Sequence, residues 1–222
     1  MSNDPVSRRR ERPLDATPSR SLASRVWWIV PLAVVLLGAG WAITQAGLGG
    51  AAPVHENAGS DLAPANPPGG IPTAGDVGCE SKEEVTFHVH AHLAVYNNGV
   101  TQRVPSGIGI GQPWQVVQTD SGPFVGGGST FCWLHTHTQD GVIHIESPDA
   151  RGFTLGQFFE VWGQPLSPNQ VGPLVGQVFA YLDGAPIDGD PSAIPLGPHA
   201  VIQLNVGTDA PPPQPFTFPA GL

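Results

Sequence analysis

An uncharged apolar run near the N-terminus constrains this chain more than any other feature of its sequence. The run extends from Val26 to Ile43, and its weakly polar continuation brings it to residues 26–48. A helix needs about 20 apolar residues to cross the hydrocarbon core of a bilayer. Trp27, Trp28 and Trp41 lie near the two ends of the run, where amphipathic rings favour the membrane interface. We therefore expect a single transmembrane helix that anchors the chain to the cell membrane.

Lys and Arg are concentrated before this run. Six of the nine precede it, whereas the residues beyond it carry three Lys/Arg against fifteen Asp/Glu, a net charge of −12 with His neutral. Because Lys/Arg enrichment marks the cytoplasmic side of a span, we expect a cytoplasmic basic tail at residues 1–25, a signal anchor at 26–48 and an extracytoplasmic C-terminal part. The alternative is a cleaved signal peptide, since Thr44-Gln45-Ala46 and Ala51-Ala52 offer small residues, although the apolar core of such peptides is usually about 7–15 residues.

The acidic balance of the outer part limits its partners. Binding to nucleic acid depends on Lys and Arg that neutralise phosphates, and a strongly negative surface repels them. The same surface attracts cations. The composition therefore argues against nucleic acid as a partner and is compatible with a metal ion.

Composition also divides the outer part into three segments. Residues 49–78 are rich in Gly, Ala and Pro without apolar periodicity, which predicts a flexible stalk. Residues 208–222 are a Pro-rich tail, and Pro211-Pro212-Pro213-Gln214-Pro215 favours extended polyproline structure. Residues 79–207 remain as one domain of ordinary size for a single core.

Two hairpins are the clearest structural signals in this domain. Val85–Tyr96 alternates apolar residues with histidines, which predicts a strand, and Asn98-Gly99 predicts a tight turn to a returning strand at Val100–Val104. Asp140-Gly141 predicts the second turn, between strands at Phe131–Thr138 and Val142–Glu146. Three further segments are strand candidates: Trp114–Thr119, Gln177–Leu182 and Ala200–Val206.

One segment has helical spacing. Phe153–Trp162 offers Thr154 as N-cap and Gly163 as the residue after the last turn. The stretch Gly122–Gly128 predicts a loop. The overlapping run Gly126-Gly127-Gly128-Ser129-Thr130 has no Lys and opens no helix, so it is interpreted as a flexible loop and not as a phosphate-binding one. We therefore predict an α+β domain that is predominantly β, with an antiparallel or mixed sheet and one short helix, preceded by one transmembrane helix.

The histidines are clustered. Six of the eight fall within 57 residues: His88, His90, His92, His135, His137 and His144. Residues two apart on a strand share a face at about 6.6 Å, so a His-x-His pair can converge on one ion that bonds each nitrogen at about 2.0–2.1 Å. His88 and His92 are about 13 Å apart by the same rise, so the three histidines of the first strand are not expected to share one ion.

The second hairpin gives a more specific prediction. A two-residue turn at Asp140-Gly141 places His137 opposite His144 and His135 opposite Glu146, with all four on one face. A three-residue loop would shift this register by one and separate the four residues. The isoleucines and Leu/Cys residues between them would then form the buried face of the hairpin.

Imidazole and carboxylate ligands in this pattern predict a metal site. Zn(II) and Cu(II) both suit imidazole, with Glu146 as an oxygen ligand, an orienting group or a general base. Met1 is the only methionine, which argues against a thioether-rich Cu(I) carrier. The alternative is a polar sheet face on which the histidines bond to each other and to water, or titrate as a pH sensor.

Other titratable residues are weaker candidates. His199 precedes the last strand, whereas His55 falls in the predicted stalk and is expected to be solvated. Glu83 and Glu84 precede the first strand, where a solvated edge is the expected role. The sequence contains no HExxH, CxxC or GxSxG motif.

Cys79 and Cys132 are the only cysteines. An even number in an oxidising compartment predicts a disulfide. The alternative is that a thiolate binds the metal, but Cys132 points away from His135 and His137 on a regular strand.

The motifs together resemble an uncharacterised family of secreted or membrane-anchored bacterial and archaeal domains that share an LHTH…GxIHxES block. The resemblance rests on His88-Val-His90, Leu93, Asn98-Gly99, Val104-Pro105, Ile108-Gly109-Ile110, Leu134-His135-Thr136-His137, Gly141-Val-Ile-His144-Ile-Glu146-Ser147, Phe153-Thr-Leu-Gly156-Gln-Phe-Phe and Trp162-Gly163. The family pattern has Asp after the second His of LHTH, whereas this chain has Thr138 there and Asp140 two places on. The resemblance supports the position of the site and implies no reaction.

Three functional hypotheses follow. The leading one is a non-enzymatic, membrane-anchored extracytoplasmic domain that binds Zn or Cu(II) as a binder, sensor or accessory factor. The second is a metal-dependent, hydrolase-like enzyme in which three histidines hold the ion, a position stays open and Glu146 acts as base. The third is a structural or adhesive surface module without metal.

Overall fold

The computed structural model describes residues 59–119, 122–208 and 211–222. No helix within these ranges is long and apolar enough to cross a membrane. The predicted basic tail and span lie outside the described residues, as does His55.

Strands dominate the described part of the chain, with one α-helix, α1 (Leu155–Trp162), and a 3₁₀ turn at Pro191–Ala193. The strands, in chain order, are β1 (Cys79–Glu80), β2 (Phe87–Asn97), β3 (Val100–Gln102), β4 (Gln115–Thr119), β5 (Gly122–Gly127), β6 (Phe131–Cys132), β7 (Leu134–His135), β8 (Val142–Ser147), β9 (Leu166–Ser167), β10 (Gln170–Val171), β11 (Leu174–Val175), β12 (Val178–Leu182), β13 (Ala185–Ile187) and β14 (Val201–Val206). A predominantly β fold with one short helix is therefore confirmed.

A seven-stranded sheet forms the centre of the fold. Its strand order is β13-β12-β14-β2-β8-β7, and β3 pairs with β2 beside this path. Strand β14 runs parallel to β2, and the other pairs are antiparallel. The sheet is therefore mixed.

One face of the sheet is apolar and carries the helix. Leu93 on β2 and Ile143 on β8 are at most 1 % exposed and join one hydrophobic cluster with Phe158 and Trp162 of α1. The helix begins and ends as its sequence predicts: Thr154 caps it in a capping box, and Gly163 has the left-handed φ of 70°. The apolar side chains on one face of the strands thus pack against the apolar side of α1.

The opposite face of the sheet is polar but equally buried. Its central strands place His90, His144, Glu146, Gln203 and Asn205 there, each with 9 % exposure or less. Burying polar side chains is costly unless they have partners. The β4–β5 hairpin contacts one side of this face, and residues 211–222 contact the other.

The first hairpin is confirmed. Asn97 pairs with Val100 across a two-residue turn in which Asn98 and Gly99 have φ angles of 47° and 78°. Positive φ at both central residues is the requirement of the type I′ turn that an Asn-Gly pair favours.

The predicted register of the second hairpin is wrong by two residues. Strand β7 ends at His135, which pairs with His144, because residues 136–141 form a wider connection than a tight turn. In this connection Thr136 donates to the Pro105 carbonyl, and the Asp140 carboxylate accepts from the Val142 amide. A shift by two keeps every side chain on its predicted face, so the isoleucines of β8 remain buried with Cys132 and Leu134.

The predicted loop at Gly122–Gly128 is also wrong, since most of it forms β5, which pairs with β4. Propensity disfavours glycine in strands, but this hairpin requires close approach. A Cβ at Gly127 would lie 3.1 Å from the Cβ of Gln115 on the facing strand. The small sheet of β9, β10 and β11 has no counterpart among the predicted strands either.

The predicted flexible stalk is wrong for residues 59–78, which pack on the domain. Leu62 and Val77 are 5 % and 7 % exposed and belong to the main hydrophobic cluster. The indole nitrogen of Trp162 donates to the Pro64 carbonyl, and Asp61 pairs with Arg103 at 3.0 Å. Low apolar content predicted disorder, but a few well-placed apolar residues are enough to bind the segment to the side of α1.

The described part of the Pro-rich tail also contacts the domain. The Pro211 carbonyl accepts from the side chains of Gln203 and Asn205, and the Phe216 ring stacks on His92 with centroids 3.6 Å apart. The tail therefore covers part of the polar face.

Cys79 and Cys132 form the predicted disulfide. The two residues are paired in the β1–β6 ladder, so the bridge connects the chain just before β2 to the strand that leads into His135. The thiolate alternative is excluded, because both sulfurs are in the bridge.

Candidate metal centre

Three adjacent strands arrange most of the histidines in two rows. The β2–β8 and β7–β8 registers place His90, His144 and His135 side by side in one row, and His88 beside Glu146 in the next. Neighbouring strands lie about 4.7–4.9 Å apart. Side chains of one row that share a face therefore converge.

His137 joins the cluster from the connection after β7. Its ring stacks on Phe124 with centroids 4.5 Å apart, and its Nδ1 donates to the Val125 carbonyl at 2.5 Å. The Val125 amide in turn donates to the His137 carbonyl at 2.9 Å. The β4–β5 hairpin thus fixes His137, a role that its glycine-rich sequence did not indicate.

The hydrogen bonds of His135 and His137 determine their tautomers. The Nδ1 atom of His135 lies 2.8 Å from the Cys132 carbonyl, and that of His137 bonds to the Val125 carbonyl. A carbonyl oxygen only accepts, so each Nδ1 carries a proton, and the neutral form of each ring has its lone pair on Nε2. These two Nε2 atoms are 3.1 Å apart. Two lone pairs facing each other at this distance repel, and a cation between them would satisfy both.

The separation also fits a metal ion. With bonds of about 2.0–2.1 Å, two nitrogens 3.1 Å apart subtend an angle of about 100° at the metal. Adjacent ligands of a four-coordinate ion have angles near this value. The second nitrogen of each ring is held by a backbone carbonyl, the arrangement that usually orients metal-binding histidines.

Glu146 brings a carboxylate to the same place. Its Oε1 lies 3.0 Å from Nε2 of His88, 3.4 Å from Nδ1 of His144 and 3.9 Å from Nε2 of His135. Its Oε2 is buried without a hydrogen-bond partner, and so is Nδ1 of His144, which approaches Oε1 without a bonding alignment. Glu146 is only 2 % exposed. Unpaired buried polar atoms are uncommon in folded proteins and require an explanation.

Burial favours the neutral form of three imidazoles in the cluster, those of His90, His135 and His144. It is the main cause that lowers the pKa of His144 to about 2 and that of His90 to about 4, and that places the pKa of His135 well below its usual value. Burial also raises the pKa of Glu146, an effect that His88 and His137 oppose. Neutral imidazole is the form that binds metals.

The ligand atoms form two overlapping groups, in each of which they all lie within 4.8 Å of one another. The inner group is His135, His137, His144 and Glu146, and the outer group is His88, His90 and His144. Six of the seven residues predicted as ligands are thus brought together.

His92 is the exception. Its Nε2 lies 3.0 Å from the Asp140 carbonyl, and its ring stacks on Phe216. The spacing along β2 predicted that it would not share an ion with His88. His199 is also apart, stacked on Phe218, and Asp140 bonds within its own turn.

Glu83 lies at a solvent-exposed edge, as predicted, with its side chain 36 % exposed, but it also contacts the histidine cluster. Its Oε1 lies 3.4 Å from Nε2 of His137, and burial is the largest of the causes that raise its pKa. Glu84 instead bonds to Thr86 on the surface. The sequence offers no periodic signal for Glu83, because the chain enters β2 only at Phe87.

The inner group is enclosed. His135, His137, His144 and Glu146 are 0–9 % exposed, whereas the side chain of His88 is 36 % exposed at the edge of the cluster. Two surface cavities of the described residues, of about 660 and 340 Å³, contain none of these side chains.

Protein-family models, curated proteins and solved structures gave no match to this chain. The functional argument therefore depends on the residues described above.

Proposed function

We propose that this protein is a metal-binding domain that holds Zn(II) or Cu(II) in its inner group. The observation that carries the proposal is the 3.1 Å approach of the Nε2 atoms of His135 and His137, both of which present lone pairs. A hydrogen-bonded polar face, the main alternative, would orient one of these rings as a donor.

The donor set suits these two ions. Three imidazoles and one carboxylate match the nitrogen-rich sites of Zn(II) and Cu(II), whereas Ca²⁺ and Mg²⁺ prefer oxygen ligands. Cu(I) favours thiolate and thioether ligands, and both cysteines are in the disulfide. The enclosure of the four residues favours a binding or sensing role, since structural sites have closed ligand shells and catalytic sites keep an open position.

The proposal places the domain outside the cytoplasm, anchored by residues 26–48. The apolar run, the Lys/Arg-rich residues before it and the Cys79–Cys132 disulfide support this location. The resemblance to secreted or membrane-anchored domains agrees with it. We expect the chain to stay in the membrane fraction after alkaline carbonate washing and its C-terminal part to be digested by protease added to intact cells. Release by the wash would contradict the anchor.

Isothermal titration tests the metal proposal directly. The full-length chain, purified in detergent without a polyhistidine tag, should bind Zn(II) or Cu(II) saturably. The double variant His135→Ala/His137→Ala should lose this binding while keeping its β-sheet circular dichroism. His92→Ala is the matched control, since His92 is on β2 but outside both groups, and it should bind as the wild type does. Absence of saturable binding by the wild type would refute the proposal and favour a module without metal.

One observation favours a metal-dependent enzyme as the second candidate. Glu146 is too enclosed to meet a substrate, but Glu83 is a partly exposed carboxylate beside His137, and its pKa is raised. A base beside a metal-bound water is the arrangement of hydrolytic sites. If this candidate is correct, the Zn-loaded chain hydrolyses p-nitrophenyl acetate and Glu83→Gln loses that activity while retaining metal affinity. Equal rates in both proteins would exclude it.

A further inference from the structure

The cluster contains more potential ligand side chains than one four-coordinate ion can bind. A four-coordinate ion in the inner group uses three histidines and Glu146. His88 and His90 remain, and their rings lie 4.5 Å apart. Both belong to the outer group, whose ligand atoms also lie within 4.8 Å of one another.

The environment of His90 indicates that this residue binds an ion other than the first. It is 5 % exposed, and its Nε2 is buried without a hydrogen-bond partner. Its ring meets His144 edge to face at 4.5 Å between centroids. A buried imidazole nitrogen without a partner loses the hydrogen bond that it has in water, and this costs about 1–3 kcal/mol.

Glu146 lies between the two groups of histidines. Its Oε1 is 3.0 Å from Nε2 of His88 in the outer group and 3.9 Å from Nε2 of His135 in the inner group, and its Oε2 has no partner. A carboxylate has two oxygens and about four lone-pair positions. It can therefore bridge two cations, and ions in two-metal sites are about 3.5–4 Å apart.

We propose that the cluster holds a second divalent ion, bound by His88 and His90 and bridged to the first by the Glu146 carboxylate. This inference rests on the proposed function, since it requires the inner group to bind a metal. Two divalent ions are compatible with the net charge of −12 on the residues beyond the apolar run. The exposed side chain of His88 places this second ion at the solvent edge, where it would exchange more rapidly than the first.

Stoichiometry and magnetic coupling test the inference. The full-length chain, without a polyhistidine tag, is titrated with Cu(II) and followed by electron paramagnetic resonance. We expect two ions per chain and a half-field transition from two coupled Cu(II) centres. His90→Ala and the more exposed His88→Ala should each bind one ion and lose the half-field transition. His92→Ala should keep both.

The outcomes separate this inference from the proposed function. One ion per wild-type chain, with no change in stoichiometry in His88→Ala and His90→Ala, would overturn the second position and leave the first intact. No binding by the wild type would overturn the proposed function itself. A variant that fails to fold is recognised by its circular dichroism, and the other of the two variants then decides the result.

Discussion

His144 is the side chain on which the two groups meet. Its ring lies 4.5 Å from those of His90 and His137, 5.3 Å from that of His135 and 5.7 Å from that of His88, measured between centroids. Its pKa is lowered to about 2, mainly by burial. Its Nδ1 is buried without a hydrogen-bond partner among four imidazoles and one carboxylate, and this is the residue-level reason to expect an ion.

Replacing Glu146 with Gln tests the carboxylate at constant shape. The amide keeps the volume but removes the negative charge and one acceptor oxygen. We therefore expect Zn(II) affinity to fall by at least about 10-fold, the lower end of the loss seen when groups that hydrogen-bond to metal ligands are removed. Competition with a chromophoric chelator measures the affinity. Asp140→Asn is the control, because the Asp140 carboxylate bonds within its own turn, to Thr138 and Val142. Equal affinity of Glu146→Gln and the wild type would exclude Glu146 as a ligand.

At the residue scale, the sequence predicted the metal-binding side chains but not the groups that orient them. Alternation along β2 and β8 places their histidines and Glu146 on one face, whatever the partner strand. The acceptors that fix the tautomers are backbone carbonyls of Cys132 and Val125, and any residue type supplies a carbonyl. Phe124 and Glu83 reach the site through tertiary contacts of segments without periodicity, so no local pattern could identify them.

At the scale of elements, the connection before β8 controls the register that builds the site. Gly141 has a φ of 82°, and a Cβ there would overlap the carbonyl oxygen of Leu93 on β2. The Leu93 amide donates to the Gly141 carbonyl at 2.9 Å. This close approach holds the start of β8 against β2, where the histidine rows form.

Gly141→Ala should therefore destabilise the protein more than a matched glycine substitution. Gly184 is the control, since its φ is 81° but nothing lies within 4 Å of the position of its Cβ. Left-handed φ costs an alanine about 1–2 kcal/mol in both variants, and the overlap should add about 1–3 kcal/mol at Gly141 only. Chemical denaturation measures both free energies of unfolding. Equal losses of free energy of unfolding in the two variants would show that the close approach of Gly141 to Leu93 does not contribute to stability.

Elements whose structure is determined by neighbouring residues in the sequence were predicted correctly more often than elements determined by tertiary contacts. The Asn98-Gly99 turn and the helix caps at Thr154 and Gly163 are fixed by φ requirements of single residues, and they are correct. Asp140-Gly141 has the same local signal, but Thr136 is drawn away by its bonds to Pro105 and Ile108, and the turn widens. Residues 59–78 are ordered by contacts with distant residues, which composition does not record. Strand β5 forms a local hairpin with β4, and its glycine-rich sequence does not indicate a strand.

At the scale of the whole molecule, the sheet separates two kinds of interior. One face packs hydrocarbon against α1, and the other buries histidines, carboxylate and amides under the β4–β5 hairpin and the C-terminal segment. An apolar face stabilises the fold without further requirements. The polar face is stable only when its groups stay neutral or are paired.

The metal-free protein should consequently lose stability in mild acid. His90 and His92 have pKa values of about 4 and His144 about 2 in the folded state, below the ordinary value of about 6.5. The unfolded chain then binds more protons, so the free energy of unfolding falls as pH drops below about 6.5, by up to about 1.4 kcal/mol per pH unit for each histidine.

The raised pKa values of Glu83 and Glu146 act in the opposite direction, because the folded state takes up these protons first. They are fewer than the histidines with lowered pKa, so a net loss remains. Urea denaturation of metal-free protein at pH 7, 6 and 5 measures it. A midpoint that does not change over this range would contradict the buried, neutral histidine face.

X-ray absorption at the zinc K edge tests the central claim most directly. The Zn-loaded full-length chain, at one equivalent, should show a first shell of nitrogen and oxygen at about 2.0–2.1 Å with the outer-shell scattering of about three imidazoles, and no sulfur at about 2.3 Å. His135→Ala/His137→Ala should lose most of the imidazole scattering. A shell of oxygens alone, or the same spectrum in the double variant, would contradict a metal site built from the inner group.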